Sequence, residues 1–305
     1  MRRHPRIRAY FALVAVCFFW GTTYLGIRMA LETFPPLVLV STRFTLSGSI
    51  LVAAALARGA RLPRGRDLLI AALSGVLILG IGNGCLTFAE LLIPSGLAGL
   101  ISTLSPFWLV GIEAAMPGGE RLHAPTILGM IVGFGGVAML LSGEVGAGVF
   151  GHAAWSGFFL LQAGMVAWSG GSLYQRRQRA DAHPIVVGAV QQVFSGLAVL
   201  PLAIVSGNHH LAWSARGVGA LFYLVIFGSI VGYSAYAYAL DRLPVAVVSV
   251  YPYVNSVVAV ALGWLIYREP FGAREAAAML VIFAGVGLVK WQSGKAALAR
   301  MEVEA

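Results

Sequence analysis

Charged side chains are scarce in this sequence. Asp, Glu, Lys and Arg make up 11% of its 305 residues, whereas a soluble domain typically carries about 25%. Hydrophobic residues account for 59%, and the mean hydropathy is +0.84. The shortage of charge excludes an ordinary soluble domain and predicts an integral membrane protein with little soluble mass.

Cysteine is nearly absent, and the common catalytic motifs are missing. Cys17 and Cys85 both lie in apolar segments, so they imply neither a disulfide framework nor a metal site. The sequence has no Walker loop, no catalytic Ser/His/Asp set and no CxxC pair. We therefore predict no enzymatic activity and no cofactor. His209 and His210 lie in the predicted outer loop 207–216, where we interpret them as exposed residues rather than metal ligands.

Acidic residues are fewer than basic ones, and the net charge is +9. The excess comes without any nucleic-acid-binding signature and lies in short loops between apolar runs, so we predict no nucleic-acid partner. With the N-terminus inside, cytoplasmic segments hold sixteen Lys and Arg, outer segments hold four, and Arg43 inside the second span is the last of the 21. This split predicts that both termini are cytoplasmic and that loop 143–152 is outside.

Long apolar runs dominate the chain, and ten of them approach the roughly 20 residues that cross a bilayer. The first run follows a basic segment, as in a signal peptide, but it is long enough to span and has no clear cleavage site. We interpret it as an uncleaved first transmembrane helix. The runs lie near residues 10–30, 36–57, 68–90, 95–115, 125–142, 153–175, 184–206, 217–239, 244–267 and 274–292.

The two halves of the sequence repeat with an offset of 148 to 150 residues. Five spans per half is an odd number, so the second unit enters the membrane from the opposite side. We predict an all-α membrane protein with ten transmembrane helices in two inverted five-helix repeats, 1–142 and 153–292, and a cytoplasmic tail at 293–305. Such repeats are typical of secondary transporters, with the solute site at the repeat interface. The clearest matches are Pro36, Arg43, Ser47 and Gly48 with Pro184, Gln191, Ser195 and Gly196.

Residues 80–106 place polar groups inside otherwise apolar helices. Asn83 and Glu90 are seven residues apart, so they share one helical face. Ser105 lies in the next helix, directly before Pro106, which removes a backbone donor. Because such groups are costly in lipid and usually face a protected cavity, we predict that this hairpin forms one wall of a solute path.

Arg43 is a charge inside a span, which costs roughly 2.5–3.5 kcal/mol at a helix centre. It needs a carboxylate, carbonyl groups, water or an anionic substrate, and the structural alternatives are an ion pair or a snorkelling side chain. Its repeat mate Gln191 keeps the hydrogen bonding without the charge. This asymmetry suits a solute with one charged end.

Glu90 has three interpretations. It could pair with Arg43 or a substrate amine, carry a coupling proton, or touch water at the outer interface. Burial favours the protonated carboxyl that a proton-coupled step requires, so protons are an alternative partner. The position of Glu90 near the outer end of its helix favours the substrate or Arg43 contact. For Glu113, near the inner end of the fourth helix, we predict an interfacial or packing role.

Aromatic residues cluster near the predicted kinks. Packing and membrane-belt positions are their default, but Trp20, Trp168, Tyr251 and Tyr253 neighbour polar or Pro positions and are favoured for the cavity, where they would bind apolar or cationic solute parts. Asn255 is the strongest amide candidate of the second half. The full set of predicted substrate-binding residues is Trp20, Tyr24, Arg43, Asn83, Glu90, Ser105, Trp168, Gln191, Tyr251, Tyr253 and Asn255.

Several segments resemble the drug/metabolite transporter superfamily, specifically EamA-type permeases close to the YedA-like group. The resemblance covers nearly the whole chain and implies ten helices around a central cavity and export of amino acids, amines, carboxylates or related metabolites. In one departure, the usual Pro after the Asn of the ninth helix is Ser256, although Pro252 lies one turn earlier. The matching segments are FWGTTYLGIR at 19–28, Arg43, GNG at 82–84 with Glu90, PSG at 94–96, SP at 105–106, AWSGGSLYQRR at 167–177 and YPYVN at 251–255.

These patterns predict a secondary-active or facilitative transporter in the bacterial cytoplasmic (inner) membrane, with a small-molecule substrate and the lipid bilayer as partners. It would export small metabolites by alternating access. A multidrug exporter of lipophilic cations is an alternative, although Arg43 would repel such cations. A non-transport membrane scaffold is an alternative from another class, but a scaffold has no need of buried charge in both early helices.

Overall fold

The computed structural model describes residues 4–119, 122–146, 151–178, 183–207, 213–243, 245–248 and 250–304. Within these ranges the chain is helical and contains no β-strand. Two segments have the wider π-helical winding. The elements are α1 (His4–Leu31), α2 (Pro36–Ala57), α3 (Arg66–Gly75), π1 (Val76–Gly82), α4 (Asn83–Ala89), α5 (Ser95–Ser102), α6 (Ser105–Ala115), α7 (Ala124–Gly146), α8 (Gly151–Gln178), α9 (Pro184–Val205), α10 (Ala215–Tyr223), π2 (Leu224–Val231), α11 (Gly232–Arg242), α12 (Val245–Val248), α13 (Tyr251–Tyr267) and α14 (Ala273–Glu304).

Seven helical stretches of the described chain are long and apolar enough to cross a membrane, and α13 is apolar but shorter. This confirms the predicted all-helical membrane protein. The seven stretches are Ile7–Leu31, Pro36–Ala57, Arg66–Ala89, Ser95–Ala115, Ala124–Leu141, Pro184–Val205 and Ala215–Leu240.

Proline sets several helix boundaries. Helices α2 and α9 begin at Pro36 and Pro184, where the missing N–H is not needed. The predicted break before Pro106 is present, because α5 ends at Ser102 and α6 begins at Ser105. In the second half, α13 begins at Tyr251 with a proline in its first turn and runs through Ser256. The missing proline at Ser256 therefore leaves α13 continuous, and the boundary lies one turn earlier.

The helix boundaries of the two halves coincide in register. Both ends of α9 follow those of α2 by 148 residues, and π2 begins 148 residues after π1. The packing is reciprocal as well. Helix α1 packs on α10, π2, α11 and α13, whereas α8 packs on α3, π1, α4 and α6. Each leading helix therefore contacts the opposite half.

Glycines allow the closest helix contacts. A Cβ at Gly48 would lie 2.5 Å from the Val193 nitrogen, and one at Gly196 would lie 2.5 Å from the Thr45 nitrogen. Helices α2 and α9 are therefore in backbone contact at two matching points. Helices α7 and α14 meet in the same way, which agrees with the small-residue spacing in α7.

The two ends of the bundle are distinguished by α1. At the near end, where α1 begins, Ala9 and Leu13 pack with Ala239, Leu243 and Val248. At the far end, α1 finishes at Leu31, close to the link between α4 and α5. The core clusters lie between these ends and leave room for a central cavity.

Candidate solute cavity

A cavity of about 790 Å³ lies between the two halves and is lined by helices from both. At the near end it reaches Leu240, Val248 and the 65% exposed side chain of Arg176. Towards the far end its lining includes Leu86 but not Glu90, one turn further along. The cavity therefore opens at the near end. Eight predicted site residues line it: Trp20, Tyr24, Arg43, Asn83, Ser105, Trp168, Tyr251 and Asn255.

Arg43 holds an unpaired charge in this cavity. Its side chain is 6% exposed, and its Nε donates to the Ser229 hydroxyl at 3.0 Å. Nη1 donates to Asn83 Oδ1 at 3.4 Å, and the guanidinium lies 4.9 Å from the ring centroid of Phe44. Across the described ranges, no carboxylate oxygen comes within 4.0 Å of its nitrogens. Arg43 therefore forms no ion pair with the described residues, which argues against the structural ion-pair alternative.

The two π-helices position the groups around Arg43. Asn83 directly follows π1, and Ser229 lies within π2. Gly228, beside Ser229, accepts a hydrogen bond from Trp20 Nε1 at 2.9 Å. π-helical turns often occur at functional sites because their winding redirects side chains and carbonyl groups. Here the guanidinium of Arg43 and the indole of Trp20 are both anchored on consecutive residues of π2.

An aromatic wall, formed by Trp20, Tyr236 and Tyr251, lies beside this anchor. The ring centroids are 5.2 Å apart for Trp20 and Tyr236, 5.1 Å for Trp20 and Tyr251, and 5.6 Å for the two tyrosines. All three rings line the cavity. Because the rings brace one another and the indole N–H is already bonded, the wall presents a fixed, mostly apolar surface.

An ion pair marks the near-end opening. Arg176 donates to Glu113, and both residues line the cavity. Glu113 is thus at the edge of the bundle, as expected for an interfacial residue. Its charge is compensated by Arg176, so among the described lining residues the one unpaired charge is that of Arg43.

The far end is closed by a contact between the two halves. Glu269, which follows α13 and is 9% exposed, accepts hydrogen bonds from the backbone nitrogens of Ser95 and Gly96 at 2.8 and 2.9 Å. Its carboxylate thereby caps the first turn of α5, where negative charge is favoured. Arg28 of α1 lies 3.9 Å from the same carboxylate and donates to the Ile93 carbonyl at 3.3 Å.

Glu90 lies in this closed far end rather than in the cavity. It is 2% exposed, and neither carboxyl oxygen has a hydrogen-bond partner among the described residues. It forms no ion pair with Arg43 within 4.0 Å. Asn83 and Glu90 share a helical face, as predicted, but the cavity ends between them, at Leu86. The predicted contact between Glu90 and Arg43 is absent in this conformation.

Gln191 is also outside the cavity lining. It is 1% exposed and its amide is fully engaged. Nε2 donates to the Ser74 hydroxyl at 3.0 Å and to Gln175 Oε1 at 2.8 Å, and Oε1 accepts from the Tyr233 hydroxyl at 2.8 Å. Its neighbour Gln192 lines the cavity instead and accepts a hydrogen bond from Ser47.

Tyr253 and Asn255 differ in their placement. Tyr253 packs edge-on against Phe283, with centroids 5.5 Å apart, and does not line the cavity. The hydrogen-bond network assigns the Asn255 amide nitrogen as a donor to the carbonyls of Cys17 at 2.7 Å and Tyr251 at 2.9 Å. Its Oδ1 is then an acceptor at the cavity surface.

Four contributors were not selected from the sequence: Ser229, Gln192, Tyr236 and Glu269. Ser229 and Gln192 carry no distinguishing pattern, because a lone polar residue in an apolar run has no assigned direction. Tyr236 belongs to an aromatic cluster, and its sequence pattern does not distinguish it from the neighbouring Tyr233 and Tyr238. The cap made by Glu269 joins residues 174 positions apart, which a single sequence does not reveal. His209 and His210 lie outside the described residues.

Comparison with known proteins identifies what the chain is similar to. The profile of the EamA-like transporter family matches residues 7–142 and 155–291. An "Uncharacterized inner membrane transporter YedA" of Escherichia coli (strain K12) is 34% identical over 291 residues, 95% of this chain and 92% of that protein.

More distant relatives and a solved structure also match. A "Probable terminal-alkyne amino-acid exporter" of Streptantibioticus cattleyicolor is 27% identical, covering 85% of this chain and 86% of its own. A "Probable amino-acid metabolite efflux pump" of Salmonella typhimurium is 25% identical, covering 90% and 92%. A crystal structure 24% identical in sequence aligns with a TM-score of 0.67 over 94% of this chain and 98% of its own. That likeness establishes a shared fold.

Proposed function

Because the chain belongs to the EamA-like transporter family, we propose that it exports small metabolites as a secondary-active or facilitative carrier. The metabolite classes are amino acids, amines and carboxylates. The observation that carries this proposal is the 790 Å³ cavity, which contains buried polar groups, opens at one end and is closed at the other. A membrane scaffold gives no reason for such a cavity.

The proposed architecture is ten transmembrane helices in two inverted repeats, 1–142 and 153–292, with the tail 293–305 in the cytoplasm. The coincident boundaries of α2 and α9, and of π1 and π2, support the repeat. The reciprocal packing of α1 and α8 on opposite halves supports an approximate two-fold relation between them. Alternating access then follows if the halves rock about the α2–α9 contacts at Gly48 and Gly196 and expose the cavity at each end in turn.

The proposed location is the cytoplasmic (inner) membrane with both termini inside, which makes the near end cytoplasmic. In a background without Cys17 and Cys85, a cysteine at Gly146 should react with an impermeant thiol reagent in intact cells, whereas one at Gly65 should not. The reverse pattern would exclude this orientation and would turn the cavity opening outwards.

Accessibility of the cavity tests the carrier mechanism. A single cysteine at Ser105 should react from the cytoplasmic side of inside-out vesicles, because Ser105 lines the open cavity. During turnover it should also become reactive from the outside. A cysteine at Gly135, which meets open space on α7, serves as a lipid-facing control. Reaction from one side only, during measured flux, would contradict alternating access.

Lipophilic cations are the second candidate substrate class. An unpaired acidic group would favour such cations, but among the described lining residues the one carboxylate, Glu113, is paired with Arg176. The cavity therefore favours metabolite export over cation export. Proton coupling would depend on Glu90, whose unpartnered carboxyl at the closed far end suits the protonated form in this conformation.

A further inference from the structure

The cavity discriminates among the proposed substrate classes by its charge. Its charged lining residues in the described chain are Arg43, Glu113 and Arg176, and the last two pair with each other at the opening. The interior therefore has a net charge of one positive unit at Arg43. A buried guanidinium without a counterion is unfavourable, and an anionic ligand relieves that cost.

The guanidinium keeps N–H donors that the described residues do not use. Arginine has five N–H donors, and in the described structure Nε and one Nη1 hydrogen are used, by Ser229 and Asn83. The remaining donors, on Nη1 and Nη2, form the edge that binds a carboxylate through two parallel hydrogen bonds. Stacking on Phe44 and the two polar contacts hold this edge in place.

The aromatic wall and this charge are anchored on neighbouring residues of π2. Trp20 is bonded to the Gly228 carbonyl, and Arg43 is bonded to the side chain of the next residue, Ser229. A ligand that contacts both therefore needs an apolar or aromatic group only a few bonds from its carboxylate. A second, positively charged group finds only neutral acceptors nearby, such as Oδ1 of Asn255.

From this arrangement we infer that the cavity selects aryl-alkyl monocarboxylates, with the carboxylate on Arg43 and the ring against Trp20, Tyr236 and Tyr251. Aromatic amino acids bind more weakly, because their ammonium group loses water without gaining a carboxylate partner. Amines and neutral amides bind least. The inference rests on the proposed carrier function for its physiological meaning, but ligand binding itself does not depend on transport.

A matched ligand series tests the inference on the purified full-length protein. Isothermal titration would compare 3-phenylpropionate, phenylalanine, 3-phenylpropanamide and 2-phenylethylamine. The expected order of affinity is carboxylate, amino acid, then amide and amine. Arg43→Gln should weaken 3-phenylpropionate binding at least about 30-fold, the lower range for truncating a buried charge-pair partner. Arg43→Lys should recover only a small part, because lysine lacks the planar fork.

Two controls separate binding from folding. Arg66→Gln makes the same charge change on an exposed side chain and should leave every affinity unchanged. Ser229→Ala keeps the guanidinium but removes its Nε partner, so it should weaken carboxylate binding by less than Arg43→Gln. If Arg43→Gln fails to fold, the wild-type ligand order and the Ser229→Ala effect still decide the question.

Several results would overturn the inference. One is that the wild type shows no measurable binding of the carboxylate. Another is that phenylalanine, the amide or the amine binds as tightly as the carboxylate. The third is that Arg43→Gln leaves the carboxylate affinity unchanged. Flux in proteoliposomes then distinguishes the two proposals. Carboxylate binding without any flux would support the inferred selectivity and contradict the carrier function. Transport of amines in preference to carboxylates would support the carrier function and contradict the inferred selectivity.

Discussion

Helices α2 and α9 share their length, their proline start and their glycine contacts, but they carry different polar residues. Each has 22 residues, begins at proline and carries a glycine that meets the backbone of the other. Yet Arg43 lies at the cavity with an unpaired charge, whereas Gln191 is buried among three hydrogen-bond partners. The shared features hold the two halves together, and the feature that differs lies where a solute could bind.

This contrast explains how a repeated sequence forms an asymmetric cavity. An amide can be satisfied inside a protein core by neutral hydrogen bonds, as Gln191 is, with little cost. A guanidinium cannot be satisfied in that way, so it remains at a water-accessible surface or binds an anion. The exchange of one residue type at equivalent positions therefore places a charge at the cavity on α2 and a packed, hydrogen-bonded amide on α9.

The largest expected effect on stability comes from the glycine contacts that α2 and α9 share. Gly196→Leu forces a side chain into the backbone of α2, so we expect a loss of about 3 kcal/mol or more in stability and little folded protein. Gly48→Leu should act equally, since the two contacts match. Yield and thermal stability in detergent measure the effect. Gly135→Leu, which points to open space, is the control, and equal damage from it would contradict the close-packing account.

Gln191→Leu should harm stability without harming ligand binding. It leaves Ser74, Gln175 and Tyr233 without their amide partner, at a cost of about 1–3 kcal/mol. Thermal unfolding and titration with 3-phenylpropionate on the same preparation separate the two effects. Gln178→Leu, on the exposed end of α8, should be nearly neutral in both. A large loss of affinity in folded Gln191→Leu would make α9 a binding helix like α2.

Glu269→Gln should loosen the far end by about 1 kcal/mol, the usual scale for a helix cap. The amide keeps one acceptor but loses the charge that favours the α5 N-terminus and Arg28. A single cysteine at Ser102, on the cavity surface, should then be labelled from the outside about fivefold faster. Glu275→Gln, which makes the same charge change in the first turn of α14, is the matched control. Unchanged labelling would mean that the cap does not hold the far end closed.

Glu90→Gln should have the smallest effect on stability, within about 0.5 kcal/mol, because a neutral amide replaces an acid that is buried without a partner. If Glu90 carries the coupling proton, raising the external pH ionises it in the outward-open form and hinders closure, so wild-type flux should fall with rising pH. The variant should keep binding and lose that pH dependence. If Glu90→Gln keeps the wild-type pH profile, Glu90 does not carry the coupling proton. If Glu90→Gln binds the solute more weakly, Glu90 is a substrate contact.

Much of the fold was predictable because its signals are local. The start of α2 and α9 follows from Pro36 and Pro184, and the break near Ser105 follows from the next proline. The π-helices were not predictable, since an apolar run gives the same pattern for α- and π-winding. Arg43 was identifiable from the cost of its charge in lipid. Gln192, rather than Gln191, lines the cavity because the side chain that faces the interior depends on how α9 packs on α3 and π1.

Counterflow in proteoliposomes tests the central claim, a carrier that holds its solute on Arg43, most directly. Vesicles loaded with unlabelled 3-phenylpropionate would receive the labelled compound outside, with wild type and Arg43→Ala at equal protein content. The account predicts transient accumulation of label by the wild type and none by Arg43→Ala, although the variant inserts and remains folded. Equal accumulation by both proteins would assign Arg43 to packing and contradict the account.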